Sequence, residues 1–73
     1  MTELEAAETP LEMAQRHVRE TEVRIADQKA LIQQMKRNGE ATLVGIGRTL
    51  LEELRQSLRA ARDHVERLRD VQH

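Results

Sequence analysis

The sequence predicts an all-α protein: an antiparallel two-helix hairpin of coiled-coil type that dimerises into a four-helix bundle. Three observations carry that prediction. Helix breakers are few, with one proline and three glycines in 73 residues. Two long stretches repeat apolar residues every seven positions with 3/4 spacing. One antiparallel register pairs those stretches throughout, and its midpoint falls at a glycine, where a turn is expected.

Taken in order, residues 1–8 form an acidic leader. Glu3, Glu5 and Glu8 are followed by Glu12 before the first base is reached. The leader is expected to be frayed or disordered, although Thr2 with Glu5 offers a weak helix start. Thr9-Pro10-Leu11-Glu12 is a stronger start. Thr9 can cap, Pro10 suits the first helical position, and Glu12 completes a capping box. The first helix is predicted over 10–37, with Lys36 and Arg37 in the last turn, where cations suit the negative helix end. Asn38-Gly39 then supplies the left-handed residue that stops it. The turn is placed at 38–41 and the second helix at 42–71, with Thr42 as its cap. A connection this short makes the helices antiparallel.

The seam on the first helix is Leu11, Ala14, Val18, Thr21, Ile25, Gln28, Ile32 and Met35. On the second it is Val44, Gly47, Leu51, Leu54, Leu58, Ala61, Val65 and Leu68. Paired from Met35 with Val44 down to Leu11 with Leu68, every couple of residue numbers sums to 79. The turn and the seam are read from different residues, and their agreement is the main warrant for the fold. The seam is thin in places. Thr21 and Gln28 are polar, Ala14 and Ala61 are small, and Gly45 and Gly47 each cost a helix about 1 kcal/mol relative to alanine. Gln28 reads equally well as a register-setting polar residue or as an interface-edge residue that meets water.

A chain this short builds a marginal core alone and usually needs disulfides, a metal, oligomerisation or very regular helix packing. There is no cysteine, which excludes disulfides, thiol redox chemistry and cysteine zinc sites, and no Phe, Trp or Tyr, which removes base-stacking platforms. Self-association is the expected remedy. Beside the seam, one flank carries Leu31, Leu43, Leu50 and Val71, with Ile46 between Leu43 and Leu50. A monomer would leave these in water, and burying such a side chain is worth about 1.5–3 kcal/mol. They are the candidate self-association residues, and a homodimer is the expected assembly; the plainer reading is that Leu43 and Ile46 only close over the loop.

The opposite flank carries Lys29, Lys36, Arg48, Arg55, Arg62 and Arg69, with Glu22 its only acid. The overall charge is −1, yet this row of bases is a candidate contact for an anion or a nucleic-acid backbone. The plainer reading is a solvated face in which Glu52 pairs with Arg48 or Arg55, and Glu66 with Arg62 or Arg69. Without aromatic interleaving or a helix-turn-helix, a nucleic-acid-associated role is the runner-up to a structural or protein-interaction module.

Other chemistry finds little foothold. His17 and His64 fall on the apolar flank of facing helices, but two imidazoles make half a metal site. No metal and no cofactor is expected. Gly45-Ile46-Gly47-Arg48-Thr49 lacks the preceding strand and following lysine of a phosphate loop. Ser57, the lone serine, has no histidine–carboxylate arrangement placed to activate it, so no enzymatic activity is expected. No apolar run approaches a membrane span, and the first residues lack the basic and apolar regions of a secretory signal. A cytoplasmic location without membrane attachment is the default expectation.

Arg16-His17-Val18, Glu22, Arg24-Ile25-Ala26, Gln28, Leu31, then Gly39 and Thr42, then Leu50-Leu51-Glu52 together resemble a pattern in short alphaproteobacterial helical-hairpin proteins of unknown function. The resemblance covers residues 14–58 and implies a bacterial cytosolic hairpin. The chain departs from the pattern at Gly45 and Gly47, where helix-favouring residues are expected.

Overall fold

The computed structural model of the protein describes residues 7–72. Helix α1 is Pro10–Arg37 and helix α2 is Ala41–Gln72, and they pack against each other as an antiparallel hairpin. The described residues contain no strand.

Each boundary has a local cause. Thr9 is extended (φ −72°, ψ 161°), its hydroxyl accepts from the Glu12 N–H at 3.1 Å, and its own N–H donates to the Glu12 carboxylate at 2.9 Å. That reciprocal pair occupies two donors that a helix start would otherwise leave unpaired. At the other end of α1, Gly39 has φ +72°. The Gly39 N–H donates to the Lys36 carbonyl at 3.1 Å and the Glu40 N–H to the Met35 carbonyl at 3.0 Å. This is a Schellman closure, and the left-handed residue it needs is the glycine. The chain re-enters a helix at once, because Val44 N–H bonds to the Glu40 carbonyl. Helix α2 thus starts one residue earlier than expected, and Thr42 lies inside its first turn rather than capping it. The helix runs through Gly45 and Gly47 without a break. The suggested start at Thr2 and the residues before Ala7 lie outside the described residues.

The core is the predicted seam. Every seam residue is buried or half-buried, and among the described residues the only additions are Gln15 and Glu40. The large side chains gather near the turn: Ile25, Ile32, Val44 and Leu51 form the central cluster, with Met35, Leu54 and Leu58 against it. Farther out the buried residues are Thr21, Ala14, Ala61 and Val65. The polar intruders are satisfied. Thr21, only 1% exposed, donates its hydroxyl to the His17 carbonyl at 2.8 Å. Gln28 donates its amide to the Gly47 carbonyl of the facing helix at 2.9 Å. Of its two readings, the structure supports the one that ties the helices in register.

At Gly47 the second helix lies close against α1. A Cβ there would lie 2.9 Å from Met35 Cε, 3.0 Å from Ile32 Cγ1 and 3.4 Å from Gln28 Nε2. Gly45 faces open space, so packing explains the second of these glycines and not the first.

Candidate functional site: two flanks beside the turn

With extents of 52 × 28 × 12 Å, the molecule is one helix layer thick. Both flanks of the seam are therefore open to solvent, and they differ in chemistry.

On the apolar flank, Leu31, Leu43, Ile46 and Leu50 remain 47%, 44%, 54% and 48% exposed. The register that fixes the seam sets Leu31 across from Leu50, and the 43, 46, 50 spacing puts the α2 residues on one helical face. By that register and spacing these four fall on one flank beside the turn. Val71 is exposed as well, but at 1.5 Å per residue it sits roughly 30 Å along α2 from Leu50 and does not join them. His17 and His64 share this flank farther from the turn. Both are exposed, and no hydrogen bond links them. Among the described residues no group of three or more His, Cys, Asp or Glu is placed to hold a metal ion.

On the basic flank the same register sets Lys36 across from Arg48, Lys29 across from Arg55, Glu22 across from Arg62 and Gln15 across from Arg69. Arg62 donates to the Glu22 carboxylate at 3.0 Å, tying the helices together. Arg69 pairs with Glu66 along α2 at 3.4 Å. The other expected pairings are corrected. Glu52 pairs with Arg59 at 3.6 Å and with neither Arg48 nor Arg55, and Glu66 does not reach Arg62. Arg59 lies seven residues beyond Glu52, on the outer face, where the flexible arginine stem spans two helical turns. Arg62 turns away from Glu66 because Glu22 meets it from the facing helix.

The consequence is a division of the row. Arg62 and Arg69 are ion-paired, whereas Lys29, Lys36, Arg48 and Arg55 form no ion pair among the described residues. These four line one shallow groove together with Ile32, Gln33 and Leu51. Lys36 and Arg48 also border a second groove at the turn, with Gly39, Glu40 and Val44.

One ion pair, Arg16 with Glu8, lies outside anything the helical spacing foretold. Arg16 grips Glu8, which precedes the helix cap, through contacts of 2.9 to 3.1 Å, and also reaches Glu20 at 3.1 Å. The hydrogen bond from Arg16 holds the Glu8 carboxyl below its ordinary range, and the Glu8 and Glu20 carboxylates raise the Arg16 guanidinium. The Glu22–Arg62 bridge was within reach of the sequence, because it obeys the register that pairs the seam. The Glu8–Arg16 bridge was not, since Glu8 lies before the helix starts.

No protein-family model, curated protein or solved structure matches the chain. No helix among the described residues is long and apolar enough to cross a membrane.

Proposed function

We propose that this chain is a self-associating structural or protein-interaction module, in which two hairpins pack through the turn-proximal apolar flank to make a four-helix bundle. The observation that carries the reading is that four large apolar side chains, Leu31, Leu43, Ile46 and Leu50, which the register assigns to one flank, are each about half exposed. Completing their burial contributes roughly 1 kcal/mol per side chain. Two copies together contribute roughly 8 kcal/mol, within the roughly 4–15 kcal/mol that association costs. The dimer is therefore expected to dissociate on dilution, as suits a regulated or exchangeable module. The role is one of contact rather than catalysis, in the bacterial cytoplasm that the sequence resemblance implies.

A nucleic-acid-associated role along the basic flank is the second reading. The unpaired bases favour it, while the pairing of Arg62 and Arg69 shortens the free cationic track and weighs against it.

The test is molar mass by light scattering across a concentration series for wild type, Leu50→Glu and Val23→Glu. Val23 is also an exposed apolar residue but lies away from the flank. The expected result is a concentration-dependent dimer that Leu50→Glu abolishes and Val23→Glu leaves intact. A wild-type monomer at all concentrations, or equal effects of the two variants, would remove the reading.

A further inference from the structure

The four bases Lys29, Lys36, Arg48 and Arg55 pose a separate problem. Flanking positions of an antiparallel helix pair usually match opposite charges across the seam. Here the register sets Lys36 against Arg48 and Lys29 against Arg55, two like-charge couples in succession. The carboxylates within reach do not relieve them. Glu52 is one turn from both arginines but pairs with Arg59, and Glu22 is taken by Arg62. Glu40 borders only the neighbouring groove at the turn. The four side chains surround a groove walled by Ile32 and Leu51, with Gln33 adding an amide.

We propose that this groove binds a short oligophosphate, an inorganic polyphosphate of a few units or the phosphate tail of a nucleotide. The chemistry follows from the charges. Four cations without carboxylate partners attract a ligand of several negative charges, and arginine forks match phosphate oxygens. The size follows from the spacing. Lys29 and Lys36 are seven residues apart, as are Arg48 and Arg55, or roughly 10 Å along each helix. One orthophosphate is too small to meet both ends of that rectangle, whereas linked phosphates reach all four flexible side chains. The length is bounded on both sides. Beyond Arg55 the row is closed by the Arg62–Glu22 bridge, and beyond Lys36 and Arg48 the chain turns at Gly39. A polymer backbone would need the cationic track to continue, and it does not. This inference does not depend on dimerisation, because all four bases lie within one hairpin.

Isothermal titration calorimetry of the full chain at low ionic strength tests it, with inorganic tripolyphosphate, ATP, orthophosphate and a DNA duplex of roughly 20 base pairs, about two helical turns, as probes. Tripolyphosphate and ATP are expected to bind saturably, and orthophosphate roughly tenfold or more weakly. Arg48→Gln with Arg55→Gln, and separately Lys29→Gln with Lys36→Gln, are expected to weaken tripolyphosphate binding by roughly tenfold or more. Arg69→Gln is expected to leave it unchanged. Circular dichroism confirms that each variant keeps its helices, and removing like-charge neighbours favours that. No saturable tripolyphosphate binding would overturn the proposal, as would equal weakening by Arg69→Gln. Binding of the duplex tighter than that of tripolyphosphate, with Arg62→Gln and Arg69→Gln also weakening it, would overturn it in favour of a nucleic-acid track.

Discussion

Near the turn, Ile25, Ile32, Val44 and Leu51 fill the seam with large side chains, while beyond Thr21 the buried positions narrow to Ala14, Ala61 and Val65. The surfaces differ in the opposite sense. The end away from the turn is laced with ion pairs, Arg16 with Glu8 and Glu20, Arg62 with Glu22 and Arg69 with Glu66. The turn-proximal end leaves four apolar side chains half exposed on one flank and four bases unpaired on the other. The far end is thus sparsely filled inside and holds most of the ion pairs, while Met13 and Val71 stay exposed there; the turn-proximal end is well filled inside and holds the two contrasting flanks. The difference teaches where each job resides. The turn-proximal core holds the hairpin together, and its two flanks remain free for contacts with other molecules.

The largest expected effect tests the internal side of that comparison. Ile32→Ala removes a side chain from the middle of the turn-proximal cluster and is expected to destabilise by about 3 kcal/mol, as large-to-small core changes do. Val65→Ala, in the sparser half, is expected to cost about 1 kcal/mol less, since one fewer methylene leaves the core. Urea denaturation of both variants measures the two losses, and equal losses would erase the distinction between the halves.

The two glycines of α2 sharpen it further. Gly45→Ala meets nothing and is expected to stabilise by about 1 kcal/mol through helix propensity alone. Gly47→Ala must displace Ile32 Cγ1 and Met35 Cε, so the gain is expected to shrink or reverse. Thermal melts of the two variants under identical conditions read the difference. Equal gains would mean that the close approach at Gly47 constrains nothing.

The smallest effect belongs to the other end. Glu8 has its pKa lowered in the folded chain by the hydrogen bond from Arg16. Its contribution is therefore fully present above the ordinary carboxylate range and is lost as pH falls through the lowered value. Both groups are exposed to solvent, so the effect is small and screened by salt. An acid titration of helix content at low salt, wild type beside Arg16→Gln, is expected to differ near neutrality and converge at low pH. A difference that instead persisted unchanged below pH ~2 would rule out this carboxylate as its source.

Much of this was legible in the sequence, because a hairpin has one degree of freedom that matters, its register. Once the turn at Gly39 fixes the midpoint, the pairing of Ile32 with Gly47 or Val18 with Ala61 follows by counting, and the buried residues match it. The same counting exposes Leu31 and Leu50 on one flank and reveals the like-charge couples on the other. What was not legible depends on long, flexible side chains. Glu52 lies one turn from Arg48, yet its carboxylate meets Arg59, and rotamers rather than spacing decide such choices. Glu40 taking the place of Thr42 at the start of α2 is likewise set by the Schellman closure, which consumes the residues between the helices. Gly45 stays unexplained by packing.

If copies of the hairpin meet at the turn-proximal flank, distances between copies show it most directly. The chain contains no cysteine, so a nitroxide on Thr49→Cys, or separately on Asp70→Cys, gives one label per hairpin. Both positions are exposed, the first beside the turn and the second near the far end of α2. Double electron–electron resonance is expected to give a dipolar signal that grows with protein concentration, with the shorter distance between copies for the Thr49→Cys label. No signal at any concentration, or the shorter distance at Asp70→Cys, would contradict the account.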